Sequence, residues 1–124
     1  MSGKLYKSYS KMIEKLKSRE ENKCIILTGS ARKFDFKEEK GINDIDLFII
    51  KENQKSDQIR ELIQFQGIDY DLNFFSYESA LKYMERGEKF IIKAFTESDV
   101  VYDPNGMSLK LIQRAVDIKN KNKE

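Results

Sequence analysis

The sequence predicts an α/β (α+β) fold, a small mixed β-sheet packed with helices. Two observations carry this. Short apolar, β-branched runs (CIILT at 24–28, DIDLFIIK at 44–51, IDYDLNFF at 68–75) are too short for helices and read as strands. Between and around them lie segments whose apolar residues recur at helical spacing. A length of 124 residues suits one domain, expected over 1–124.

Residues 4–20 place Leu5, Tyr6, Tyr9, Met12, Ile13 and Leu16 on one helical face. The run 24–28 is a buried strand ending in Gly29-Ser30, and 31–43 is polar and charged, a loop with a turn of helix at its start. In 44–51, alternation puts Asp44 and Asp46 on one face and Ile45 and Leu47 on the other, before the run turns wholly apolar as in a central strand. Residues 58–66 fit a short helix or a strand, and periodicity does not decide. Gly67 punctuates. In 68–75, Asp69, Asp71 and Asn73 share one face and Ile68, Tyr70, Leu72 and Phe74 the other. Ser76 is the N-cap of a helix that Gly87 ends. A helix over 88–96, a strand over 100–103, a turn at 104–106 and a helix over 107–118 complete the chain.

Composition removes whole classes of chemistry. There is no His, so histidine general bases, Ser–His–Asp triads and His-containing zinc sites are excluded. One Cys permits no internal disulfide and no paired-cysteine metal site, and Cys24 reads as a small core residue. With 23 basic and 21 acidic residues the net charge is +2, without the basic excess of a generic nucleic-acid binder, so no stable nucleic-acid binding is expected. No run approaches a membrane span and the N-terminus lacks the apolar centre of a signal peptide, so the expectation is a cytoplasmic protein.

Carboxylate, lysine, hydroxyl and backbone chemistry remain. Asp44 and Asp46 lie two residues apart on a strand, about 6–7 Å between Cα atoms. Two carboxylates at the start of an apolar strand are costly unless compensated, and a pair of Mg²⁺ ions is the usual compensation in phosphoryl transfer. A third carboxylate from 68–75 completes such a cage if that strand lies beside 44–51. Gly29-Ser30 after a buried strand lets a triphosphate approach the backbone, since Gly removes a side chain and Ser adds a hydroxyl. Arg32 and Lys33 read either as surface charges or as phosphate ligands.

An apolar run, Gly29-Ser30, thirteen intervening residues, then Asp44-Ile45-Asp46-Leu47 opening a second apolar run resembles the signature of the DNA polymerase β-like nucleotidyltransferase superfamily. The resemblance is nearest to the minimal nucleotidyltransferase branch, with its kanamycin-nucleotidyltransferase-like proteins and the antitoxin partners of HEPN toxins. It implies the polymerase β-like fold and Mg-dependent transfer of a nucleoside monophosphate, AMP, from a nucleoside triphosphate to a hydroxyl. It implies that Gly29, Ser30 and Arg32 hold the nucleotide. It further implies that Asp44, Asp46 and Asp71 are the catalytic carboxylates and bind two Mg²⁺ ions, with Asp71 preferred to Asp69 one pleat away. The alternatives are an antitoxin that binds or AMPylates a helical toxin, and a nucleotide-binding module without turnover. The apolar stripe of the first helix, joined by Tyr83, Met84, Phe90, Ile91 and Phe95, is expected to exceed what the core can cover. This gives the motive for a homodimer or a helical partner.

Overall fold

In the computed structural model, which describes residues 4–29 and 44–121, a five-stranded sheet carries helices on both faces. The elements in chain order are α1 (Lys4–Lys17), β1 (Asn22–Thr28), β2 (Asp44–Lys51), β3 (Ile59–Phe65), β4 (Ile68–Phe75), α2 (Tyr77–Glu85), α3 (Lys89–Thr96), β5 (Asp99–Tyr102) and α4 (Met107–Lys121). Strand order is β3-β4-β2-β1-β5. Only β2 and β4 are parallel; β1 runs antiparallel to β2 and β5, and β3 to β4.

The undecided segment 58–66 is a strand. β3 and β4 form a hairpin across Gln66-Gly67, which both take positive φ (51° and 80°) as a two-residue turn requires. β4 then enters between β3 and β2. The candidate turn of helix after Ser30 lies outside the described residues.

Pleat alternation sorts the apolar residues into two cores. On one face Ile25, Leu27, Ile45, Leu47, Ile49, Tyr70, Leu72 and Phe74 pack beneath α1. On the other, Cys24, Ile26, Phe48, Ile50 and Phe75 pack beneath α2, α3 and α4. Burial pushes the Cys24 thiol up to about 12, which keeps it protonated as a core residue would be.

The stripe of α1 departs from expectation. Leu5, Met12, Ile13 and Leu16 are buried and Tyr9 packs partly against the same core, so only Tyr6 is left exposed. With 58–66 added as a strand the sheet offers a wide face, and among the described residues α1 is the helix that covers it. Of the later set, Met84, Ile91 and Phe95 are buried and Phe90 is 44% exposed.

Two of the three helices on the second face, α2 and α4, are capped by side chains at their N-termini. Ser76 caps α2 by accepting from the Ser79 amide at 3.0 Å. Asp103 accepts from the Ser108 and Leu109 amides at the start of α4 (3.2 and 3.4 Å). Arg114 of α4 grips Glu85 of α2 with Nε and Nη2 (2.8 and 2.6 Å).

Candidate active site

The parallel pairing of β2 with β4 decides where the carboxylates stand. In register, Asp44 lies opposite Asp69 and Asp46 opposite Asp71, while Thr28 at the end of β1 lies opposite Asp46 on its other side. Directly paired residues share a face, and adjacent strands are about 4.8 Å apart. Asp44, Asp46, Asp69 and Asp71 therefore form one acidic row across the β2–β4 seam, on the face that α3 partly covers. Asp44 is exposed, whereas Asp46 and Asp71 are half-buried.

Asp46 and Asp71 open onto a cleft of about 430 Å³, walled by Thr28 and Gly29 at the end of β1, by Phe90 and Lys93 of α3 and by Glu97 just beyond it. Gly29 has φ +78°, a conformation L side chains rarely adopt. A Cβ there would collide with the Asp46 carboxylate, so glycine is needed both for the turn and for the space beside Asp46. Ser30 and Arg32 lie outside the described residues.

The two inner carboxylates are held differently. Burial, reinforced by the charges of Asp44 and Asp71, raises the Asp46 pKa, with Arg60 opposing. The Asp71 pKa is lowered, chiefly by hydrogen bonds from Arg60. Arg60 donates from Nε to Oδ1 (2.9 Å) and from Nη2 to Oδ2 (2.7 Å). Asn73 Nδ2 donates to Oδ1 at 3.1 Å, and Gln58 Nε2 donates to Asn73 Oδ1 at 2.8 Å. Asp69 is exposed, and Gln64 donates to its Oδ1 at 3.3 Å.

The donor set suits a hard divalent cation, since Mg²⁺ takes carboxylate oxygens and keeps much of its water. The burial of Asp46 beside the charges of Asp44 and Asp71, which raises its pKa, favours a compensating cation. The arrangement is incomplete in one respect. Among the described residues no three acidic or thiol side chains are grouped closely enough to hold a metal, and Asp71 is drawn toward Arg60.

Arg60, Phe90, Lys93 and Glu97 escaped the sequence reading as site residues. Arg60 had a legible signal. A hairpin around Gln66-Gly67 pairs residue 60 with 73 and sets it diagonal to 71, within reach of a long side chain. The α3 residues had none, because nothing local says that this helix overhangs the strand ends.

The fold is nucleotidyltransferase-like. The chain is similar to the solved structure of a nucleotidyltransferase-like protein from Exiguobacterium sibiricum 255-15, with TM-score 0.69 and 9% identity. The match covers 89% of this chain and 38% of that one, so the chain spans under two fifths of that neighbour's length. Neither a scan of family models nor a search of curated proteins finds a match.

Proposed function

We propose that the cleft binds a nucleoside triphosphate with Mg²⁺ and transfers its nucleoside monophosphate, AMP when the donor is ATP, to a hydroxyl. The observation that carries this reading is the register of β2 with β4, which sets Asp46 and Asp71 in the cleft with Gly29 and puts Asp44 on the same face one pleat along. Asp44 and Asp46 would hold the cation, with Asp71 as the third carboxylate. Bound there, the cation would supply positive charge to the phosphate oxygens.

The chain's own residues divide the remaining work. Gly29 leaves the Asp46 carboxylate its place at the end of β1, and Lys93 offers a positive charge from the opposite wall. The ring of Phe90, half exposed on that wall, offers a stacking surface for a nucleobase. The acceptor oxygen would form a bond to the α-phosphorus as the bond to pyrophosphate breaks and the hydroxyl proton passes to solvent water. Asp71, whose pKa Arg60 lowers in the cation-free protein and a bound cation would keep low, is a weak base, so it suits orienting the acceptor better than taking its proton. Leu62, in register with Asp71 and 71% exposed, marks the side from which a protein acceptor or partner would approach.

Calorimetry with ATP tests the reading. Binding is expected in Mg²⁺ and lost in chelator, because the acidic row repels a bare triphosphate. Asp44→Asn and Asp46→Asn are expected to weaken it. Equal binding in chelator would sink the proposal.

A further inference from the structure

We propose that Arg60 is the internal counter-ion of the acidic row, holding Asp71 until a divalent cation displaces it. This rests on the reading of the cleft as a cation-dependent nucleotide site and names what controls its loading.

Among the described residues, neither Asp44 nor Asp46 has an ion pair, whereas both oxygens of Asp71 are taken by the Arg60 guanidinium. Asn73 adds a third donor. A carboxylate has about four lone-pair sites, so little capacity is left for a metal. A cation sharing Asp71 with Arg60 would also face a like charge at contact range. Full coordination across Asp46 and Asp71 therefore requires the guanidinium to leave.

The structure makes that departure cheap. Arg60 stands on the edge strand β3 with its side chain 59% exposed, so it can swing into water without disturbing either core. Asn73 stays behind, fixed by Gln58, and keeps hold of Oδ1 after Arg60 has gone. Arg60 is thus a positioning residue that acts through Asp71. In the cation-free protein it neutralises the inner end of the row, and it sets a threshold that the entering cation must overcome.

Calorimetric titration of the intact chain with Mn²⁺ alone, without nucleotide, reads this directly. Arg60→Gln is expected to tighten Mn²⁺ binding about three- to tenfold, a modest factor because the ion pair is solvent-screened. Arg60→Lys, which keeps a charge but loses the two-pronged bond, is expected to fall between. In an Asp71→Asn background the gain from Arg60→Gln is expected to shrink to the small part that the Arg60 charge exerts on Asp46 directly, since the competition it relieves has been removed. An unchanged or weaker affinity in Arg60→Gln overturns the proposal. So does a gain of undiminished size in the Asp71→Asn background, which would be general electrostatics. Should wild type bind Mn²⁺ through Asp46 while Arg60→Gln brings no gain, only this inference falls. Should neither protein bind Mn²⁺, the nucleotidyl-transfer reading falls with it.

Discussion

Asp46 and Asp71 face each other across one strand pair, yet their ionisation contributes to stability with opposite signs. The Asp46 pKa is raised in the fold, so the stability tied to its protonated form is fully present below the ordinary aspartate value of about 3.9 and is lost as pH rises through the folded value. Asp46→Asn is therefore expected to be more stable than wild type at neutral pH without cation. The gain is about 1 kcal/mol or less, because half the side chain is solvated. It should fade as pH falls through the Asp46 pKa. Asp71 works the other way. Its lowered pKa supplies stability present above the ordinary aspartate value and lost as pH falls through the folded one, so Asp71→Asn should melt earlier at neutral pH. Thermal melts from neutral to acid pH check both; an Asp46→Asn protein that melts below wild type at neutral pH would make Asp46 a structural residue.

At the scale of elements, α1 owes its position to more than its apolar stripe. Ser8 is fully buried, and its single O–H donates to the Phe65 carbonyl at 2.8 Å. The Tyr70 hydroxyl, 2.8 Å from the same oxygen, must then be the donor to Ser8. One hydroxyl thus ties α1 to β4 and to the end of β3. Ser8→Ala is expected to cost about 1–3 kcal/mol by stranding a buried carbonyl and a buried phenol, readable as a lower midpoint in urea with an unchanged slope. This tie was not legible in the sequence, where Ser8 is one polar residue on a helix. The strands with alternating or continuous apolar runs were legible, and so were Ser76 as a cap and Asp44 and Asp46 on one face. β3 was not, for a physical reason. It is an edge strand, and Leu62 on its solvent side breaks the alternation that Ile59, Ile63 and Phe65 would otherwise display. Losing β3 meant losing Arg60, and with it the partner that distinguishes Asp71 from Asp69.

For the whole molecule, the sheet separates a core under α1 from a core under α2, α3 and α4, and the acidic row sits where the second covering gives out. Nucleotide bound in that gap would touch β1, β2, β4 and α3 at once and stabilise them as a unit. ATP with Mg²⁺ at 100 times its dissociation constant is expected to add about 2.7 kcal/mol to unfolding, seen as a rise in melting temperature that ATP or chelator alone does not give. The α/β class followed from periodicity, whereas the division into two cores waited on the order of the strands. The burial of the α1 stripe did not follow from periodicity either, because the width of a sheet depends on how many strands join it. The order of those strands has a kinetic corollary. β3 and β4 are neighbours in sequence and can zip as a hairpin in microseconds, whereas β4 can join β2 only after that hairpin is carried across the chain. Asp46 belongs to one of these pieces and Asp71 to the other. Asp46 and Asp71 therefore come together only once that hairpin has docked on β2, so the cleft is among the later features of the molecule to form.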